Sequence, residues 1–360
     1  MAAVSETRTR ASTKFQLSSS QITLWVIAIL VIGFIVWRVA GTLSQGKYGA
    51  DVWILQLVNG SVQGAMYALI ALGYTLVYGI LFMINFAHGE IFMIGAMAGY
   101  FTITRLDQAG FLDAYPVLTV LITFAVGMIT PLIAGIFLER LAYRPLRGAP
   151  RLVPLISAIG ASFFLQQAAR LLFGIRLKVY PTVGFLSGAW TFNVGDGRMV
   201  RIQHLGVVII VITILLMIGL YILVQRTKIG KAMRAVAEDK STAALMGIDV
   251  DRVIMITFAI GSTLAGAAGI MWGLWYKQVI HTVGFMPGLK AFTAAVLGGI
   301  GNVPGAMLGG FFLGLVESIA PTALDLNTQL KDVLAFSLLV IVLIFRPSGL
   351  LGEVLSEKKA

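Results

Sequence analysis

The chain has 360 residues, of which 58% are hydrophobic and only 12% charged, with a mean hydropathy of +0.91. Soluble domains carry about 25% charged residues, so this balance describes a membrane protein with several helical spans. There is no cysteine, which excludes a disulfide framework, a thiolate nucleophile and a cysteine-ligated metal. The three histidines, His88, His204 and His281, stand too far apart for metal-ligand spacing. The formal charge of +11 sits in short loops between apolar runs, which fits positive-inside topology rather than nucleic-acid binding.

Residues Met1 to Ser20 are polar and read as a cytoplasmic tail. Ile22 to Leu43, with Trp25 and Trp37, is an apolar run expected to stay as an uncleaved span, since no small-residue cleavage site follows it. Val52 to Ile103 would extend roughly 75 Å as one helix, against a hydrocarbon core of about 30 Å. It must fold back, and the polar knot from Asn85 to Gly89 is the expected turning point. The stretch is studded with glycines, and apart from tyrosines its ionisable groups are His88 and Glu90.

Val117 to Leu138 is a further span ending in ERLAYRPLRGAPR, whose arginines place that loop in the cytoplasm. Leu152 to Phe173 returns across the membrane. Gly174 to Leu205 is the longest polar connection, read as an external loop or hairpin despite its own basic residues. Gly206 to Val224 spans again and leads into QRTKIGKAMRAVAEDKSTAALMGIDVDR, the most polar internal segment. Within it, good helix formers run to a stop at Gly247, and Asp249 suits the N-cap of the span Val253 to Tyr276. Lys277 to Lys290 reads as a Gly/Pro-containing external loop. Ala291 to Ile319 repeats the character of the first broken stretch, with a glycine break at GGIGNVPG, and Lys331 to Phe345 is the last span.

The expected fold is an all-α polytopic membrane protein of about ten segments, including broken helices, in two loosely duplicated halves with both termini cytoplasmic. Recurrent GxxxG spacings, such as Gly60/Gly64, Gly95/Gly99 and Gly310/Gly314, allow helix backbones to approach closely. Broken helices in both halves point to a transport pathway. Asn85, His88, Gly89 and Glu90 are candidates in the first half. They form either a hinge in which Glu90 complements a helix N-terminus or an intramembrane polar site. Glu317 and Arg170 are read as lying at span ends. The segment Gly230 to Asp251 is a candidate docking element, because Ala243, Ala244, Leu245 and Met246 place small and apolar residues on an otherwise charged stretch. No GxxxxGK[ST] motif occurs, so any ATP-driven engine is another chain.

Four blocks carry a resemblance: GYTLVYGILFMINFAHGEIFMIGA, AYRPLRGAPRLVPLISAIGASFFLQ, AVAEDKSTAALMGIDVDRVI and KAFTAAVLGGIGNVPGAMLGGFFLGLVES. In this order, over Val52 to Gly352, they resemble the H-type permease subunit of branched-chain amino acid ABC importers. The resemblance implies a bacterial inner-membrane permease that performs no covalent chemistry and holds no cofactor, ATP being bound by partners. It implies a second homologous permease, two cytoplasmic ATP-binding subunits and a periplasmic amino-acid-binding protein. Glu238, Asp239, Ala243, Ala244 and Gly247 then fall in the ATPase-coupling segment. Asn85, His88, Gly89 and Glu90, with Gly298, Gly299 and Gly301, border the pathway or its hinges. The division expected is an N-terminal tail and added span over 1–45, a permease core over 46–352 and a tail over 353–360. A proton-coupled secondary transporter using His88, Glu90 or Glu317 is the alternative, as is a permease of the same architecture for urea or short amides.

Overall fold

The computed structural model describes residues 33–150, 152–195 and 197–352. The tails expected over Met1 to Ser20 and 353–360 lie outside these residues. So does the first half of the N-terminal run, 22–32, while 33–44 are helical. The principal helices are α1 (Ala50–Leu81), α2 (His88–Gln108), α3 (Pro116–Leu138), α4 (Leu152–Phe173) and α5 (His204–Arg226). They continue as α6 (Lys228–Glu238), α7 (Lys240–Leu245), α8 (Val250–Tyr276), α9 (Phe285–Gly298), α10 (Val303–Ala323) and α11 (Lys331–Phe345). Among the described residues seven helices are long and apolar enough to cross a membrane. α2 and the shorter α9 are the broken elements within the expected count of about ten.

α1 is the axis of the bundle. Its middle, from Val62 to Leu72, is buried apart from Gln63, because α8, α9 and α10 all pack on it. Apolar side chains gain little by leaving lipid for protein, so these helices are held by backbone proximity and van der Waals contact. The α1–α10 crossing illustrates this. A β-carbon at Gly60 would lie 3.0 Å from the Gly314 carbonyl oxygen, and one at Gly64 would lie 2.8 Å from Phe311 Cα. The order of these contacts makes the two helices antiparallel. The GxxxG pair Gly60/Gly64 is therefore a seam within this chain. The outer helices differ: α3, α4, α5 and α11 expose Leu121, Phe164, Leu215 and Val340, as lipid-facing surfaces do.

The two ends of the bundle are chemically distinct. At one end, β2 (Ala189–Asn193) pairs antiparallel with β3 (Met199–Gln203), while β1 (Lys178–Val179) pairs with β4 (Gln278–Val279). The long polar connection is thus a hairpin tied to the end of α8. At the opposite end, α3 runs into a π-helical turn, Glu139–Tyr143. The wider turn leaves Glu139 and Tyr143 both buried, a local irregularity of the kind found at functional positions. Arg147 pairs with Glu139 and Asp251, and Arg144 also pairs with Asp251, so the loop after α3 clamps the start of α8.

The loop expected over Lys277 to Lys290 is present only as far as Gly284, and its second part is corrected. α9 begins at Phe285 and Lys290 is buried inside it. The Gly-Phe-Met-Pro-Gly sequence gives a loop signal, yet Pro287 lies in the first helical turn, where a missing N–H costs nothing.

Candidate functional site

The chain turns at the end of α1 because Phe82 takes a left-handed conformation at φ 55°. Residues 83–87 then climb back into the bundle, and the His88 imidazole rests over Gly73. Gly73 lies two turns before the end of α1, so the return covers about 12 Å at 1.5 Å per residue. The fold-back expected at Asn85 to Gly89 is present. Asn85 secures its lower part, its buried Oδ1 accepting a hydrogen bond from Tyr143 Oη at 2.9 Å. His88 stands inside the bundle, edge-on to Tyr74 at 4.9 Å between ring centroids, rather than at a membrane surface.

α9 approaches the same place. A β-carbon at Gly89 would lie 2.6 Å from the Gly284 carbonyl oxygen, and one at Gly288 would lie 2.8 Å from Gly89 Cα. Three glycines therefore let the N-terminal ends of α2 and α9 touch backbone to backbone. Between them lies a cavity of about 70 Å³, bordered by Tyr74, Gly89, Glu90, Ser162, Gly284 and Gly288. Its other walls are apolar and include Phe86, Ile159, Phe163 and Phe285.

Glu90 dominates its chemistry. The residue is 1% exposed, and its Oε1 accepts from Gln166 Nε2 at 2.7 Å and from Ser162 Oγ at 3.3 Å. Its Oε2 has no hydrogen-bond partner among the described residues. As the third residue of α2, Glu90 also lies where a carboxylate complements the helix dipole. Sequence reasoning found Glu90 but missed Ser162, Gln166 and Gly284. The available signal was the buried stripe Pro154, Ala158, Ser162, Gln166 and Ala169, which puts two polar groups one turn apart on an apolar helix.

A second buried polar cluster joins four helices. Lys290 Nζ lies 2.6 Å from Glu317 Oε1 and 2.7 Å from Asp332 Oδ1. Tyr67 Oη donates to Glu317 Oε2 at 3.0 Å and accepts from Gln63 Nε2 at 2.7 Å. The expectation of Glu317 at a span end is thus corrected: it is buried within α10, facing a lysine that sequence reasoning placed in a loop. Arg170 is exposed in the last turn of α4, as expected.

Gly298, Gly299 and Gly301 do not border the cavity. They form the tight turn between α9 and α10, with Gly299 at φ +107° and Gly301 at φ +95°. The C-terminal segment closes this turn through Leu350 N–H to the Leu297 carbonyl at 2.8 Å and Leu351 N–H to the Gly298 carbonyl at 3.0 Å.

The docking candidate lies at the arginine-clamped end. Asp239 caps α7, accepting from the backbone N–H groups of Ser241 at 2.8 Å and Thr242 at 3.1 Å and from both hydroxyls. The Ser241 hydroxyl contact, with the others, holds the Asp239 carboxyl well below the usual carboxylate range. Burial, then the neighbouring Arg147, lowers Lys240 from its ordinary value. α7 ends in a Schellman arrangement: Ile248 N–H reaches the Ala243 carbonyl, Gly247 N–H reaches the Ala244 carbonyl, and Gly247 sits at φ +83°. The result is a blunt tip. Ala243 turns inward, while Glu238, Ala244 and Gly247 are exposed and Leu245 and Met246 stand 88% and 78% exposed. Asp249 accepts from Arg252 N–H at 3.0 Å, the N-cap expected for α8.

Residues 56–343 match the family described as branched-chain amino acid transport system / permease component. The chain is 47% identical over 306 residues to the high-affinity branched-chain amino acid transport system permease protein BraD of Pseudomonas aeruginosa, covering 85% of this chain and 98% of that one. It is 44% identical over 306 residues to the corresponding protein LivH of Salmonella typhimurium, covering 85% and 97%. A probable branched-chain amino acid transport permease of Methanocaldococcus jannaschii is 30% identical over 267 residues, covering 73% and 79%. The chain belongs to the family of branched-chain amino acid transport system permease components.

Proposed function

We propose that this chain is the membrane-embedded permease subunit of an ATP-driven importer that moves branched-chain or similar hydrophobic amino acids across the bacterial inner membrane. A second homologous permease pairs with it, two ATP-binding subunits dock on the cytoplasmic face, and a periplasmic binding protein delivers substrate. The arginine-clamped end carrying α6 and α7 is the cytoplasmic end, and the hairpin end faces the periplasm, as the positive-inside rule favours. Both termini are then cytoplasmic.

The observation that carries this reading is the exposed tip of α7. Leu245 and Met246 project from a capped, conformationally fixed helix end. Large apolar side chains held this far out of a polar segment belong in a pocket on another chain. Through the Asp251 clamp, force applied to α7 passes to α8 and to the loop after α3. ATP binding and hydrolysis in the partners thereby drive alternating access. Reconstitution tests the proposal: proteoliposomes holding both permeases, both ATP-binding subunits and the binding protein take up leucine only with ATP inside. Uptake by this chain alone, driven by a pH gradient without ATP, overturns it in favour of a proton-coupled transporter.

A further inference from the structure

The Glu90 cavity has features that packing does not require. Its carboxylate is buried, with one oxygen engaged by Gln166 and Ser162 and the other without a partner among the described residues, 3.1 Å from where a Gly284 β-carbon would stand. No lysine or arginine borders the cavity among the described residues, and the nearest buried cation, Lys290, is held by Glu317 and Asp332. A carboxylate isolated in a membrane bundle is costly unless a cation or hydrogen-bond donors satisfy it. Tyr74 and Ser162, whose hydroxyl oxygens can accept further hydrogen bonds, border the same space. An ammonium group has three donors, which these three acceptors suit.

The rest of the cavity fits the remainder of an aliphatic amino acid. The cavity of about 70 Å³ has room for an ammonium and its neighbouring carbons. Beyond it, Ile159, Phe163 and Phe285 form an apolar opening and are 41%, 58% and 47% exposed. The first turn of α9 borders the same space, and a helix N-terminus favours a carboxylate.

We propose that Glu90, with the Tyr74 and Ser162 hydroxyls, is a transit site for the ammonium group of a hydrophobic amino acid, whose side chain lies against Ile159, Phe163 and Phe285. This rests on the permease function proposed above. The site selects for a protonated amine, a requirement that apolar walls alone do not impose.

This chain has no native cysteine, so a label found on this subunit reports the introduced residue. Ile159→Cys and Phe163→Cys are introduced separately into the full importer complex, and labelling by a small methanethiosulfonate reagent is measured without the binding protein. Millimolar leucine and 3-methylbutylamine are expected to slow labelling at least threefold, whereas 4-methylpentanoate, which lacks the amine, has no effect. Adding Glu90→Gln, which keeps the side-chain volume and both hydrogen-bond donors' acceptor, abolishes protection. Equal protection by 4-methylpentanoate, protection that survives Glu90→Gln, or the absence of protection overturns the proposal. So does failure of both cysteines to label, because a sealed cavity cannot pass substrate. ATP-driven leucine uptake by the wild-type complex is measured in parallel. If uptake holds and protection fails, only the transit site falls; if uptake is absent, the permease reading itself falls.

Discussion

Gly89 and Gly284 meet backbone to backbone, and each excludes a β-carbon from the other. The contact joins the two broken elements of the chain, α2 and α9, at the wall of the Glu90 cavity. A β-carbon at Gly284 would also lie 3.1 Å from Glu90 Oε2.

Substitution at this contact is expected to separate the helix ends. Gly284→Val overpacks a backbone crossing and costs about 1–3 kcal/mol, read as a lower unfolding temperature in detergent with loss of transport. Gly160→Ala is the control. Nothing lies within 4 Å of its β-carbon position, so it leaves both measurements unchanged.

The Lys290–Glu317 pair predicts strong non-additivity. Lys290→Met leaves a buried carboxylate without its nearest cation and costs about 3–5 kcal/mol. Lys290→Met combined with Glu317→Met removes both charges and is expected to recover part of that loss. A chemical-denaturation cycle over the four proteins measures the coupling; additive effects would sink the prediction. Lys331, 3.6 Å from Glu317 Oε1, moderates the loss in the single variant.

The α7 tip separates docking from folding. Leu245→Ser with Met246→Ser removes exposed apolar surface, so the permease keeps its stability while retention of ATP-binding subunits during purification drops at least tenfold. Gly247→Ala places a β-carbon in the left-handed region at φ +83° and costs about 1–2 kcal/mol locally. Its effect appears as reduced coupling of ATP hydrolysis to uptake, with the fold intact.

The stretch before α1 is tied to the end of α10 by a pH-dependent contact. Lys47 Nζ lies 2.5 Å from Asp325 Oδ1, Tyr48 Oη donates to the same oxygen at 2.9 Å, and Arg38 donates to the Leu324 carbonyl at 2.9 Å. The hydrogen bond to Asp325 raises Lys47 above its ordinary value, and the Lys47 contact lowers Asp325. A lowered carboxyl stabilises above its unfolded pKa, and that contribution is lost as pH falls through the folded value. A raised lysine stabilises below its unfolded pKa, and that contribution is lost as pH rises through the folded value. The contact therefore holds through neutral pH and fails at both extremes. Asp325→Asn is expected to return Lys47 towards its ordinary value and speed its acylation several-fold near pH 9; an unchanged rate counts against the contact.

Much of this molecule was legible in the amino-acid sequence. Leu152–Phe173 and Lys331–Phe345 have the helix limits that their apolar runs set, because a lipid-crossing helix must satisfy every backbone group within itself. The fold-back followed from length, since 52 residues of helix do not fit one bilayer crossing, and the polar knot at Asn85 to Gly89 marked its place. The N-cap at Asp249 and the stop at Gly247 were local chemistry, readable within a few residues.

Only the tertiary structure decided what those elements face. Lys290 read as loop because a lysine beside Gly and Pro is locally a surface signal; its partners Glu317 and Asp332 lie 27 and 42 positions away and meet it only in the bundle. Ala243, grouped by composition with its neighbours, turns inward because the cap and the Schellman turn fix the rotation of α7. Gly298, Gly299 and Gly301 close a turn against the C-terminal segment, while Gly89 and Gly284, nearly 200 residues apart, bring two helix ends to one carboxylate. Hydropathy and chain length fix which segments cross a membrane, but the pairing of glycine surfaces fixes which crossings touch.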